Sequence, residues 1–201
     1  LEFINSAELL VSHEQKGVYQ LKIDPDFKEV LSYSKTAVKK SIKSSLSQYN
    51  NKVLYGSNEG VFYYNLASSD FKKDSILSGL YSFTGYISGK LINANNKLFA
   101  FTNNNISYVQ REKLSANYEL FSIPIPNSVR ETKDGYENIL YIGEDKYLIG
   151  TTSGYIITDL TTRNKSSHTI KLDGITSHAI KEKEKPLSFN SDGELLNKEN
   201  H

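Results

Sequence analysis

The chain has 201 residues, 38% of them hydrophobic, which suits one ordinary domain or a piece of a larger one and excludes a disordered chain. Its 24 basic and 23 acidic residues are spread along the sequence and give a net charge of +1, which excludes the large single-sign field that attracts nucleic acid or anionic lipid. Cysteine is absent, so disulfides, thiolate metal sites and a cysteine nucleophile are excluded as well.

The first predicted element is a hairpin at residues 9–23, LLVSHEQKGVYQLKI, in which apolar and polar residues alternate on both sides of a short polar turn. The pattern returns at residues 53–66 (VLYGSNEGVFYYNL), 98–110 (LFAFTNNNISYVQ) and 147–160 (YLIGTTSGYIITDL). The equivalent apolar anchors, separated by 44, 45 and 49 residues, are Leu10, Leu54, Phe99 and Leu148. This spacing falls within the ~40 to 50 residue period of propeller blades and predicts a repeated module.

Each copy predicts a strand, a tight turn and a second strand. The turns end in residues able to take positive φ, namely Gly17, Gly60, Asn105 and Gly154. Short apolar runs precede and follow the hairpins, which makes about four strands per period. Four antiparallel strands per ~45 residues are typical of a propeller blade, whose sheet packs against both neighbours. We therefore predict an all-β fold of four-stranded antiparallel β-propeller blades.

The strand order predicts that the chain begins with the second strand of a blade at Leu9, and that residues 174–181 (GITSHAIK) form a first strand, so that the two ends share one blade. A closed four-bladed ring and about half of a seven-bladed ring both fit the length. The chain starts without methionine or a signal segment, and no stretch approaches the ~20 apolar residues of a membrane helix. We therefore expect a soluble fragment of a longer protein, which favours the seven-bladed ring.

The hairpins at residues 9–23 and 147–160 resemble the repeats of the two-component regulator propeller family, which follow the pattern L-W-V-G-T-x-x-G-L/V-Y. The four anchors occupy the position where that pattern prefers Trp, and the hairpin glycine is kept in every copy except the third, which has Asn105. Residues 188–201 (SFNSDGELLNKENH) are similar to the family's segment between the last blade and an immunoglobulin-like triple-tyrosine domain. The resemblance implies about four blades in residues 1–185 and an exit segment in residues 186–201.

Membership of this family implies a non-catalytic, ligand-sensing region on the periplasmic or extracytoplasmic side of the inner membrane. In the full regulator, the resemblance further implies a homodimer, a membrane helix outside this fragment, and a kinase or helix-turn-helix output. A small-molecule or glycan ligand is expected, with no cofactor and no direct contact with nucleic acid.

Propellers bind ligands mostly at the turns between second and third strands and at the connections between blades. The predicted ligand-binding residues in these turns are His13, Glu14, Asn58, Glu59, Asn103, Asn104, Thr152 and Ser153, with Lys16 beside them. The alternative is that these residues are polar only because hairpin turns are polar. No metal site is predicted, since the spacing of His13, His168, His178 and His201 matches no metal-ligand motif.

Two other functions stay open. A propeller enzyme that acts on a polysaccharide, a glycoside hydrolase or lyase, needs converging carboxylates such as Glu14 and Glu59 at ~5 to 10 Å. A protein-interaction scaffold of the WD-repeat or kelch kind is less well supported because its Gly-His and Trp-Asp signatures are missing. Two aromatic groups are predicted either to stack on sugars or to pack between blades: Phe62, Tyr63 and Tyr64, and Tyr81, Phe83 and Tyr86.

Overall fold

The computed structural model describes residues 1–81, 85–111 and 117–161, together with the backbone of two short strands at residues 175–177 and 185–187. The prediction of an all-β fold built from blade-like antiparallel sheets is confirmed. The chain divides into two compact units, Leu1–Thr162 and Arg163–His201. No helix in the described part of the chain is long and apolar enough to cross a membrane.

The first sheet contains four antiparallel strands in the order of the sequence. They are β1 (Glu2–Phe3), β2 (Glu8–His13), β3 (Gly17–Ile23) and β4 (Val30–Lys35). Strand β1 pairs through Glu2 with Leu10 and through Phe3 with Leu9. The expectation that the chain begins with the second strand of a blade is therefore wrong, because a short first strand already occupies that edge of β2.

Two further sheets repeat this order, and a fourth has three strands within the described residues. The second has β5 (Ser45–Tyr49), β6 (Lys52–Ser57), β7 (Gly60–Asn65) and β8 (Asp70–Asp74). The third has β9 (Tyr86–Ala94), β10 (Lys97–Thr102), β11 (Ile106–Arg111) and β12 (Tyr118–Ile123). The fourth has β13 (Ile139–Gly143), β14 (Lys146–Gly150) and β15 (Tyr155–Asp159).

The turns that join second and third strands follow the prediction at three of four positions. Gly17, Gly60 and Gly154 adopt φ of +95°, +119° and +157°. Asn105 is absent from the residues with positive φ, so that expectation is wrong. Its side chain is instead buried and accepts a hydrogen bond from Thr102 Oγ1 while its amide nitrogen donates to Ser122 Oγ, which fixes this turn by side-chain contacts.

In the second, third and fourth sheets, the turns between first and second strands share a conformation that was not predicted from the sequence. Each of these three turns has two residues with φ of +49° to +61°, the left-handed conformation of type I′ turns, which match the twist of paired strands. The three pairs are Asn50–Asn51, Asn95–Asn96 and Glu144–Asp145.

The core consists of apolar side chains packed between successive sheets, which is how propeller blades stabilise one another. One cluster joins Leu10 and Val18 to the second sheet, another joins the second sheet to the third, and a last one joins the third sheet to Tyr147 and Ile149. All six residues of β10 are buried, as expected of a strand covered on both faces. The anchors Leu10, Leu54 and Phe99 are fully buried, whereas Leu148 is only half-buried.

Leu148 lies on a face of the fourth sheet that carries exposed apolar side chains. Strand register places Leu140 and Ile157 on either side of it, and these two side chains are 61% and 52% exposed. The opposite face, with Ile139 and Ile149, is buried against the third sheet.

Short segments connect the sheets. Residues 36–44 lead from the first sheet to the second, and α1 (Ser75–Ser78) with the 3-10 turn Gly79–Tyr81 follows β8. Helix α1 begins where the Asp74 carboxylate accepts hydrogen bonds from the Ile76 and Leu77 backbone nitrogens. The connection from the third sheet to the fourth contains α2 (Asn127–Arg130).

In the second unit, β16 (Ile175–Ser177) pairs antiparallel with β17 (Lys185–Leu187). The predicted first strand at residues 174–181 thus contains a strand, and its partner is β17. Apart from Pro186 and Leu187, the predicted exit segment at residues 186–201 lies outside the described residues.

Candidate functional site

The turns between second and third strands lie at the same end of the sheets as the connections between sheets. Strand β4 ends at Lys35, which pairs with Tyr19 near the start of β3, and β5 begins at Ser45, which pairs with Gly56 near the end of β6. The connection at residues 36–44 therefore runs from one such turn to the next. We call this end of the sheets the turn face, and the end with the first-to-second and third-to-fourth turns the opposite face.

In the first turn, the predicted residues His13 and Glu14 are exposed at the turn face. His13 Nδ1 accepts a hydrogen bond from the Gln15 backbone nitrogen at 3.2 Å, which closes the turn. Glu14 Oε1 accepts from the Lys43 backbone nitrogen at 2.8 Å, which ties the turn to the connection leading into the second sheet.

The second turn is bonded to the same connection. Asn58 Oδ1 accepts from Ser41 Oγ at 2.9 Å, and the Asn58 backbone nitrogen lies 3.2 Å from that hydroxyl oxygen. Glu59 forms an ion pair with Lys39 at 3.1 Å. Between the turn and the connection is a cavity of about 250 Å³. It is lined by Ala37, Val38, Lys39, Lys40, Ser41, Ser57, Asn58, Glu59, Phe62, Asp70 and Phe71.

The third and fourth turns contact the other connections. The Asn103 carbonyl accepts from the Asn127 backbone nitrogen at 2.7 Å, and Asn104 beside it is exposed. Thr152 Oγ1 donates to Glu131 Oε2 at 3.3 Å, and Ser153 is exposed. Each predicted site residue thus lies in a turn at the turn face. The side chains that contact connections between sheets are those of Glu14, Asn58, Glu59 and Thr152.

Lys43 joins more parts of the turn face than any of the predicted residues. Its backbone nitrogen donates to Glu14, and its carbonyl accepts from the Gly89 nitrogen at 2.7 Å and from Tyr86 Oη at 3.0 Å. Its ammonium pairs with Asp134 in the connection to the fourth sheet. The hydrogen bond that the Lys43 ammonium donates to Asp134, together with the charge of that carboxylate, raises the pKa of Lys43.

Two charged residues of the connection to the fourth sheet, Arg130 and Glu137, are buried and bond to the third sheet. Arg130 has no exposed surface, and its guanidinium donates to the carbonyls of Asn105 at 3.1 Å and of Thr102. Glu137, also buried, accepts from Ser88 Oγ at 2.9 Å. Burial lowers the pKa of Arg130, and the negative charge of Glu137 opposes that shift.

Lys43, Arg130 and Glu137 were not predicted from the sequence. The one sequence signal for the last two is the unusual number of charged residues in the segment after Pro126 (NSVRETKDGYE). A segment that packs beneath a turn has to supply hydrogen-bond donors to the buried carbonyls of that turn.

Tyr64 and Tyr81, one from each predicted aromatic group, pack against other side chains of the fold. Tyr64 is buried, its ring centroid lies 5.3 Å from that of Phe71, and its hydroxyl donates to Gln20 Oε1 of the first sheet at 2.9 Å, so it packs between sheets. Tyr81 packs edge-on against Tyr86 with centroids 5.5 Å apart. Phe83 lies outside the described residues, as do His168, His178 and His201. Within residues 1–81, 85–111 and 117–161, no three His, Cys, Asp or Glu side chains are arranged to hold a metal ion.

In comparisons with known proteins, no family model matches this chain, and no curated protein matches it.

Proposed function

We propose that this chain is a ligand-sensing, non-catalytic part of a β-propeller in a bacterial signalling regulator of the two-component regulator propeller family. The observation that carries the proposal is the bonding of second-to-third-strand turns to the connections between sheets, through Glu14 and Lys43, Asn58 and Ser41, and Thr152 and Glu131. A ligand that displaces such a contact changes how two neighbouring sheets are joined.

A sensor also needs two arrangements that the ligand binds with different affinity. The connection at residues 36–44 supports this requirement, because Lys43 contacts the first turn, β9 of the third sheet and Asp134 beyond it. Movement of this one segment alters contacts to three sheets together.

The size of the ring and the setting of the protein are part of the same proposal. The exposed apolar face around Leu148 supports a ring that continues beyond the fourth sheet, since blades bury both faces. A seven-bladed ring, a periplasmic location, a homodimeric parent and a kinase or DNA-binding output rest on the resemblance of the repeats to the family.

The partners of the two carboxylates favour binding over catalysis. Glu14 accepts from a backbone nitrogen, and Glu59 is paired with Lys39, whereas a glycosidase needs one carboxyl group protonated and the other free to attack or to activate water. Both carboxylates are thus engaged by groups of the connection at residues 36–44.

The proposal is tested by screening small molecules and oligosaccharides against the 201-residue chain by thermal shift, followed by titration calorimetry of the hits. Glu14→Gln and Asn58→Ala should each weaken the binding of a true ligand about tenfold, which corresponds to the loss of one hydrogen bond to a charged or buried group. Glu29→Gln, at an exposed glutamate of the β3–β4 turn on the opposite face, is the matched control and should leave affinity unchanged.

Ligands that bind with equal affinity to wild type, Glu14→Gln and Asn58→Ala would contradict a ligand site at the turn face. Release of reducing ends from a polysaccharide, lost in Glu14→Gln, would instead establish the enzyme.

A further inference from the structure

A second and larger pocket lies at the opposite face, where the first and second sheets meet. Its volume is about 720 Å³, within the ~300 to 1,000 Å³ typical of small-molecule sites. It is lined by Phe3, Ile4, Gln48, Asn51, Lys52, Val53, Tyr63, Tyr64, Asn65, Leu66 and Ala67. None of these residues belongs to the turn face, so an inference about this pocket is independent of the proposed function.

Much of the wall is apolar. Val53 and Tyr64 are buried members of the core cluster between the two sheets and form its inner side. Phe3, whose ring meets Phe27 edge-on, and Leu66, 72% exposed, stand at the rim. An apolar ligand body that covers these side chains removes their surface from water, which favours binding.

The inner wall is also held in place by polar contacts between the sheets. Gln48 Nε2 donates to the Phe3 carbonyl at 3.2 Å, and the Tyr64 hydroxyl donates to Gln20 across the same boundary. The pocket is therefore shaped before a ligand arrives, which lowers the entropy lost on binding.

The charge of the pocket indicates the sign of its ligand. Of the described residues that line it, Lys52 alone is charged, and no carboxylate among the described residues forms an ion pair with it. Asn65 uses its carbonyl oxygen to accept from the Ser68 nitrogen at 3.1 Å, which leaves the NH₂ group of the amide as a donor. Both groups suit ligand oxygens that carry negative charge.

The aromatic residues disfavour a neutral sugar. Sugars stack on an open aromatic face, but the Lys52 ammonium lies 4.8 Å from the centroid of the Tyr63 ring and covers it. Tyr64 is buried, so its ring offers no open face either.

We propose that this pocket binds a small organic carboxylate with an apolar body, with the acid group at Lys52 and the body against Phe3 and Leu66. Binding requires only that the Lys52 ammonium shift from the Tyr63 ring to the carboxylate of the ligand, with no rearrangement of the backbone.

The test compares indole-3-acetate with its neutral analogue indole-3-acetamide by titration calorimetry at neutral pH and low salt. The acid should bind about fivefold more tightly, the worth of one partly exposed ion pair. Added salt should weaken the binding of the acid and leave the affinity of the amide unchanged, because salt screens only the ion pair.

Three variants locate the site. Lys52→Gln should reduce the affinity of the acid about fivefold, to that of the amide, and leave the amide unchanged. Ala67→Phe, which places a ring in the pocket from an exposed turn position, should weaken both by tenfold or more. Lys22→Gln, at an exposed lysine of β3 that does not line the pocket, is the charge-matched control and should change neither.

Equal affinity of wild type for acid and amide, or an acid affinity unchanged in Lys52→Gln, overturns the proposal. So does a lack of binding of either compound at millimolar concentration, or tighter binding of a neutral disaccharide. The salt dependence is measured on the wild-type chain, so the proposal stays testable even where a variant fails to fold.

Discussion

Replacing Arg130 with methionine would remove the guanidinium that holds the third turn of the turn face. Arg130 is fully buried, donates to the Asn105 and Thr102 carbonyls, and lies 5.5 Å from the centroid of the Phe101 ring. Methionine keeps an unbranched side chain against that ring but supplies no donor. The variant therefore isolates the charge and the hydrogen bonds.

The expected cost follows from these contacts. Each hydrogen bond from the charged guanidinium contributes ~1.5 to 3 kcal/mol, and the buried Glu137 side chain also loses its electrostatic attraction to Arg130. Part of this loss of stability is offset, because methionine, unlike arginine, carries no charge that water solvates in the unfolded state. We expect the free energy of unfolding to fall by about 3 kcal/mol, which lowers Tm by roughly 6 to 12 °C in a chain of this size.

Urea denaturation of wild type, Arg130→Met, Glu137→Gln and the double variant measures this cost and its origin. If the two charges interact, the double variant should lose less stability than the sum of the single variants. A loss below about 0.5 kcal/mol in Arg130→Met would refute the reasoning, since that is the range of ordinary surface substitutions. Strict additivity would refute the assignment of Glu137 as the counter-charge.

Three further predictions concern other parts of the fold, each measured by urea denaturation. In Gly89→Ala the new Cβ would lie 2.1 Å from the Gly56 carbonyl oxygen, so the free energy of unfolding should fall by about 3 kcal/mol. In the control Gly135→Ala the Cβ meets nothing within 4 Å and only the positive φ is unfavourable, so a fall of about 1 kcal/mol is expected. Equal losses would contradict the close approach of the two strands. Burial raises the pKa of Tyr86 from its ordinary 10.0 to about 12, so the folded state keeps this proton after the unfolded state has lost it, and stability should fall as pH rises from 10 to 12. Tyr86→Phe should make that fall smaller without abolishing it, because burial also raises the pKa of Tyr49 to about 12; an unchanged pH dependence would rule out a contribution from Tyr86. Asp74→Ala should lower the free energy of unfolding by about 1 kcal/mol, because the N-terminal cap of α1 is lost. An unchanged free energy of unfolding would mean that this cap does not contribute to stability.

The blade pattern was predictable because it depends on local rules. Alternating residues around Gly17, Gly60 and Gly154 are enough to predict hairpins, and their spacing is enough to predict repeated sheets. The Asn50–Asn51 turn was predictable in the same way, since two asparagines between strands favour a type I′ turn.

The contacts that organise the turn face depend on residues far apart in sequence, which a local pattern does not reveal. Glu14 lies 29 residues from the Lys43 nitrogen to which it bonds, and Ser88 lies 49 residues from Glu137. The sequence also predicted a short polar turn at Asn105 without indicating that Arg130 would be buried beneath it.

The ion pair between Lys43 and Asp134 has a consequence for kinetics. The two residues are 91 positions apart, so their contact closes a long loop. We expect such a contact to form late and to be absent from the transition state for folding. Its removal should therefore accelerate unfolding and leave the folding rate almost unchanged, which would make this pair a determinant of how long the native state persists.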